Sequence, residues 1–520
     1  LLFYFDNPMP SNCLKISINL LSLLDASKDR IMQQRLILIM LTAVLSGGCT
    51  VGPDYVKPSV AVPVKFKETA KNWQLADPRD ERDRGTWWLV FKEPLLNSLE
   101  KQLNAANPTI INAEANYRHA RALVDEACAS LFPTGTAAVN ITRQKSGSST
   151  TPFIAPAATG STATGTVAAN DGRSNINSRS STSHVLSFSA AWEPDLWGSV
   201  HRTIEASAAG AKASAALFAS TRLSAQAALA QIYFQVRALD KDQQLLNRIV
   251  KNDRKALELI RYQYAEGVAA RSDLLQAQNL LASAAAQAIN NKISRAQFEH
   301  AIAVLIGQPP AEFSLPPRPL VSAPPRIPVL IPSTLLERRP DVAQAERLMA
   351  QANAQIGVAA AAYFPTLSLS ATSSAANNGY AHWLSIPALG WAIGPQLAAT
   401  LLDGGLRQAT VQAARTDYAA AVASYRQVVL TAFQEVEDNL ASLRILAAEV
   451  MVQNQAANNA HQALQLVINQ YKAGTVPYSS VIAAQTAVEA AEKNAADTQG
   501  LQMTSTVGLI KALGGGWNGV

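Results

Sequence analysis

Residues 108–134 read PTIINAEANYRHARALVDEACASLFPT, and the pattern returns at 340–366 as PDVAQAERLMAQANAQIGVAAAAYFPT. Pro108, Ala113-Glu114 and Phe132-Pro133-Thr134 recur as Pro340, Ala345-Glu346 and Phe364-Pro365-Thr366, at a constant offset of 232 (340 − 108). Further along, Ala256-Leu257, Tyr264, Gly267 and Ala277-Gln278 recur as Ala463-Leu464, Tyr471, Gly474 and Ala484-Gln485, at an offset of 207 (474 − 267). Self-similarity of this kind means one architectural unit used twice. The fall in offset puts 25 extra residues (232 − 207) in the first copy, between Thr134 and Ala256. The Ser/Thr/Gly-rich stretch from Ser146 to Ser183 is where they are expected.

Each copy reads helix, strand, loop, strand, long helix, turn, helix. In the first, apolar positions at helical spacing run from Leu95 to Leu131. Phe132-Pro133 closes that helix, because proline disfavours helical backbone in the residue before it. Ala137, Val139 and Ile141 then alternate with Ala138, Asn140 and Thr142, and Leu186, Phe188, Ala190 and Trp192 alternate with Ser187, Ser189 and Ala191. The second copy has Leu367, Leu369 and Ala371 interleaved with Ser368 and Ser370, and a last strand near Trp391, Ile393, Leu397 and Ala399. This period-two pattern fits a soluble sheet with one wet face or membrane strands. Four matched strands on an exported chain favour the membrane.

From Ser199 to Glu266 no proline occurs and only Gly210 interrupts; Gly405 to Ala473 matches it. Helices of about seventy residues would reach on the order of 100 Å, a length that points to coiled-coil packing. Gly267 and Gly474 mark tight turns, and a second helix returns after each. A Pro-rich linker, residues 308–332, joins the copies and is not expected to be helical.

Two hairpins supply four strands, whereas outer-membrane barrels need at least about eight. One chain cannot close. Two would give a barrel about as wide as its own side chains fill; three would give twelve strands and an open lumen. The expected fold is therefore mixed α and β: a shared twelve-stranded barrel with a ring of long helical hairpins.

The chain opens at Leu1, and the first methionine suited to a start is Met32. Residues 1–31 are expected to be an upstream stretch read through from a misassigned start, with a real but unusual extension as the alternative, and are set aside. Residues 32–48 carry a short basic region, the apolar run Leu36 to Leu45, and the small residues Ser46-Gly47-Gly48 before Cys49. That is a secretory signal, too short to span a bilayer. Its end suggests acylation of Cys49; ordinary cleavage is the alternative, because Ser46 stands where a large aliphatic residue is usual. Of the three cysteines, Cys13 lies in the extension and Cys49 is the anchor, so Cys128 is expected to lack a partner, and no disulfide framework is expected. The net charge of +6 is mild and evenly spread, which argues against nucleic acid. Charged residues make up only 16%, against about 25% in ordinary proteins. The six histidines are scattered, and neither a zinc motif nor a phosphate loop occurs. No enzyme activity, cofactor or metal is expected.

Several stretches together resemble the TolC-like outer-membrane efflux factors, in their lipoprotein (NodT/OprM-type) branch. They are Cys49 to Tyr55 (CTVGPDY) with Pro58, Trp87-Trp88 with Phe91 and Pro94-Leu95, and Pro332 to Val342 (PSTLLERRPDV) with Ala345-Glu346. Ala352 to Gly357 (ANAQIG), Tyr363 to Leu367 (YFPTL) and Lys511 to Trp517 (KALGGGW) complete the set. The resemblance covers nearly everything from Cys49 onward. It implies a homotrimer in outer-membrane lipid, with a periplasmic adaptor and an inner-membrane RND-type pump as partners. Its domains would be an N-terminal lipidated segment (49–94), repeat one (95–307), the linker (308–332), repeat two (333–513) and a tail (514–520). The cargo implied is small molecules; polypeptide export and a non-channel coiled-coil lipoprotein are the alternatives. The hairpin tips would form the closed end and the adaptor contacts, at Gly267, Asp273, Gly474, Tyr478 and Ser480. Asp273 suits an acidic tip residue or simply a solvated turn. Ser480 and Ala483 stand where several relatives carry aspartate, so apolar and polar packing around Tyr471 or Tyr478 is the expected substitute.

Overall fold

The computed structural model describes residues 50–59, 63, 65–68, 86–145, 180–320, 323–325, 338–377 and 389–515. The signal, Cys49 and Trp517 lie outside them. The first copy comprises α1 (Pro94–Ala106), α2 (Pro108–Ala129), β1 (Thr134–Lys145), β2 (Ser180–Trp192), α3 (Ser199–Ala265) and α4 (Arg271–Leu305). The second comprises α5 (Pro340–Ala361), β3 (Thr366–Asn377), β4 (Leu389–Ala398), α6 (Leu406–Lys472) and α7 (Tyr478–Ala512). The repeat holds to the residue. α2 and α5 are both 22 residues long, α3 and α6 both 67, and α4 and α7 both 35.

Two expectations need correction. The helix expected from Leu95 to Leu131 is broken at Asn107, whose backbone is extended (ψ 119°). Its side chain starts α2: Ile110 N–H donates to Asn107 Oδ1 (3.0 Å), while Asn107 Nδ2 donates to Leu305 O (2.6 Å). The residue before Pro108 avoids helical backbone, and here a tertiary bond holds it there. Cys128 is buried and disulfide-bonded, with its second sulfur outside the described residues. The expectation of an unpartnered Cys128 fails because it assigned Cys13 and Cys49 elsewhere before counting. The described part of the linker also contains a 3₁₀ turn, Pro310–Glu312.

Contacts divide the chain into two units. The sheet unit holds residues 50–52, Asp125–Arg202 and Gly357–Ala409; the helical unit holds Pro53–Val124, Thr203–Ile356 and Thr410–Val520.

In the helical unit one core gathers Trp87, Trp88, Phe91, Tyr233, Phe234 and Tyr425. Each such ring contributes on the order of 1.5–3 kcal/mol by leaving water. The start of the linker is held by side chains rather than by regular structure. Arg237 Nη1 donates to Pro316 O, Arg295 Nη2 to Leu315 O, and the Arg318 N–H to Asp240. Asp240 also pairs with Arg237 (3.0 Å) and Arg295 (2.7 Å) and is itself buried. Residues 53–68 lie along α5 and α6. Asn353 holds Pro53 O, Lys57 pairs with Glu346, and the N–H groups of Lys67 and Glu68 both donate to the Glu437 carboxylate.

Candidate functional site

The sheet is antiparallel in the order β1-β2-β3-β4. Its register sorts the side chains onto two faces. Ala137 lies opposite Phe188, Phe188 opposite Ser373, and Ser373 opposite Trp391; Val139 lies opposite Leu186, and Ala371 opposite Ile393. One face therefore carries Val139, Ile141, Leu186, Phe188, Leu367, Leu369, Leu389, Trp391, Ile393 and Leu397. The other carries Thr136, Asn140, Ser187, Ser189, Ser368, Ser370, Thr372, Ala392 and Gln396. Among the described residues much of the apolar face is uncovered: Trp391 is 74% exposed and Ile393 75%, while Leu186, Leu367 and Leu369 are half-buried. A soluble sheet packs its apolar face on a core, whereas here that face is open. Among the described residues β1 and β4 each pair on one side only. Strands of 10 to 13 residues are long enough to cross a bilayer, which takes about 9–11.

Tryptophans mark the base of the sheet. Trp192 Nε1 donates to Leu131 O (3.0 Å), and Trp197 Nε1 donates to Pro365 O (2.7 Å) while its ring stacks on Phe364. The N-terminal residues dock here. Val51 N–H donates to Trp197 O, and Arg202 donates to the carbonyls of Val51 and Gly52. Gly52 has φ +101°, and a Cβ on it would come within 2.5 Å of Gly357 Cα. Only glycine fits this crossing. No sequence signal located this docking, although Gly52 and Gly357 each sit within a family-like stretch.

The second feature is the pair of hairpin turns in the helical unit. Gly267 and Gly474 both have φ +75°. Val268 N–H donates to Gln263 O, and Thr475 N–H to Gln470 O, closing the last helical turn in each case. A cluster of Leu257, Ile260, Ala277, Tyr478 and Val481 joins the two turns, with Tyr471 against it. Tyr471 OH donates to Gln263 Oε1 (2.8 Å), and its ring centroid lies 5.6 Å from that of Tyr478. Tyr478 OH is buried without a hydrogen-bond partner among the described residues. Burial, and then the nearby Asp253, Tyr471 and Asp273, push its pKa up to about 12. Asp273 Oδ2 accepts the Ala270 N–H (3.3 Å) at the start of α4, a favourable place for a negative charge. Ser480 is its counterpart in α7 (480 − 207). It is half-buried and offers no charge. The structure thus brings Tyr471, Tyr478 and Asp273 to one cleft of about 930 Å³. Gly267 and Ser480 do not line that cleft.

The model for outer membrane efflux proteins matches residues 99–308 and 331–515. The chain belongs to the outer membrane efflux protein family. It is 29% identical to the pyoverdine export outer membrane protein OpmQ of Pseudomonas aeruginosa, over 92% of this chain and 96% of that protein. It is 28% identical to the probable efflux pump outer membrane protein TtgC of Pseudomonas putida, over 94% and 96%. Among solved structures, the outer-membrane channel OprN aligns with a TM-score of 0.78 and 29% identity, over 90% of this chain and all of that one. CusC shares the fold at a TM-score of 0.77 and 22% identity, over the same shares. This outer membrane efflux protein therefore has a TolC-like fold and serves as an outer-membrane exit channel of an efflux pump. Its relatives are channel proteins rather than enzymes.

Proposed function

We propose that three copies close their sheets into one twelve-stranded barrel that passively conducts small molecules delivered by an inner-membrane RND-type pump through a periplasmic adaptor. The observation that carries this reading is the uncovered apolar face on four strands with unpaired edges. Hydrocarbon tolerates such a face and forbids such edges, so neighbouring chains must pair with β1 and β4. Relatives named for export of pyoverdine, antibiotics, toluene and solvents support a small-molecule cargo. Cys49 is the proposed lipid anchor. Thr50 lies against Gly198 beside the Trp197 base of the sheet, where interfacial tryptophans sit at headgroup level. A Cys49 thiol cannot both carry a diacylglyceryl group and bond Cys128, so the anchor requires that the Cys128 disulfide is not made with Cys49 in the mature protein. A diacylglyceryl mass on the mature N-terminal peptide is therefore expected, and a Cys49–Cys128 linked peptide would contradict it.

The turns at Gly267 and Gly474, with Asp273, Tyr478 and Ser480, are the proposed closed end and adaptor contact. Tyr471 is the proposed lock between the hairpins. Tyr471→Phe removes one hydrogen bond, of about 0.5–1.5 kcal/mol, so the open probability in planar bilayers should rise about two- to tenfold. An unchanged open probability would remove Tyr471 from the gate. Absence of conductance from both proteins would sink the channel itself.

A further inference from the structure

α3 runs toward its turn and α7 runs away from its own, and polar side chains join them. Lys241 donates to Gln499, Arg248 pairs with Glu492 (2.6 Å), and Gln485 donates to Asp253. Two carboxyl pairs are embedded in this seam. Asp253 is 1% exposed, and its Oδ2 has no partner among the described residues. The Gln485 Nε2 that serves Asp253 Oδ1 also reaches Glu489 Oε1 (3.4 Å), so a single amide nitrogen stands between two acids. The cations nearby are engaged elsewhere: Arg248 from α3 and His461 from α6 both bond Glu492. α4 presents Ala277, Ala284 and Ala288, and α7 adds the Tyr478 hydroxyl. In the second pair Asp242 is buried, and the negative charge of Asp497 acts on it. Lys493 pairs with Asp497 (2.5 Å), and Lys241 is held by Gln499. Asp242 Oδ1 is left without a partner among the described residues. Desolvated carboxylates set near one another repel, and a proton on one member of each pair removes the repulsion.

We infer that the α3–α7 seam is a pH-sensitive latch between the two hairpins, tight while each acid pair holds a proton and looser once it is lost. This rests on the proposed gate, because parting the hairpins is what would open it. Burial, then Asp253, raises Glu489 from 4.5 to about 7. Burial, then Asp497, raises Asp242 from 3.8 to about 7. In the parted seam these acids regain their ordinary values. The closed seam is therefore fully stabilised below about pH 4, loses stability as pH rises from there through about pH 7, and levels off above that.

The test places spin labels on the full chain in detergent, at Lys251→Cys on α3 and Ala490→Cys on α7. The population at longer distance should rise about tenfold or more between pH 5 and pH 7.5. Glu489→Gln with Asp242→Asn should hold the short distance at both pH values, and His461→Gln should keep the wild-type profile. A flat wild-type profile overturns the latch. So does a double variant that still responds, or a flat His461→Gln profile, which would assign the titration to the imidazole. If the double variant does not fold, the wild type and His461→Gln decide alone. The distances need no conduction. A responsive seam in a protein that never conducts would sink the channel reading, and a flat seam in a conducting protein would sink the latch.

Discussion

Ile393→Arg should cost about 2–4 kcal/mol and abolish stable membrane insertion, the depth-dependent penalty for a guanidinium on the lipid face of a barrel. Ile393 is 75% exposed on β4 and shares its face with Ala371 of β3. None of the described residues covers it, so in water the substitution would be harmless or favourable. In lipid it strands a charge in hydrocarbon. Thr372→Lys is the matched control, because Thr372 is one residue from Ala371 and its side chain is on the opposite face. It should insert like the wild type. Comparing the two in extracted outer membranes, and by urea titration of folded protein in lipid, separates a membrane sheet from a soluble one. Equal behaviour would mean that the apolar face meets protein instead.

Asp240→Ala should be the most damaging single change in the helical unit, at about 3–5 kcal/mol. Asp240 anchors two arginines and the Arg318 N–H while almost fully buried. Arg237 is as deeply buried, and among the described residues its Nε and Nη2 already lack partners. Its guanidinium lies 4.8 Å from the Tyr233 ring centroid. Removing Asp240 leaves that charge uncompensated and frees the linker at Leu315 and Pro316. Arg118→Ala breaks an exposed pair with Glu114 and should move stability by no more than about 0.5 kcal/mol. Chemical unfolding followed by helical circular dichroism checks both. A loss of about 1 kcal/mol or less for Asp240→Ala would show that water replaces the carboxylate.

Much of this architecture was legible before any coordinates, because a repeat is read by comparing the chain with itself. The offsets 232 and 207 place α2 on α5, β1 on β3, and α3 and α4 on α6 and α7. Period-two alternation also put the right residues on the apolar face. The break at Asn107 was half legible: Asn-Pro is a turn signal, but the amphipathic pattern runs through it, and the bond to Leu305 O that settles it spans 198 residues. Tertiary pairings of this kind leave no local trace. The docking of Val51 on Trp197, the Tyr471–Gln263 bond and the acid pairs of the α3–α7 seam all join residues far apart in sequence. The proposed tip residues rest only on glycine punctuation and family likeness. Asp273 accepts a hydrogen bond at its own helix start, and the cleft mixes Tyr471, Tyr478 and apolar side chains with charged ones such as Arg248, Lys472 and Glu489.

The most direct test is single-particle imaging of the full chain extracted from outer membranes. The account predicts a three-fold particle whose barrel has twelve strands, with β1 of each chain paired to β4 of the next. A monomer or dimer in which β1 and β4 stay unpaired, or an apolar face packed on protein, would contradict it.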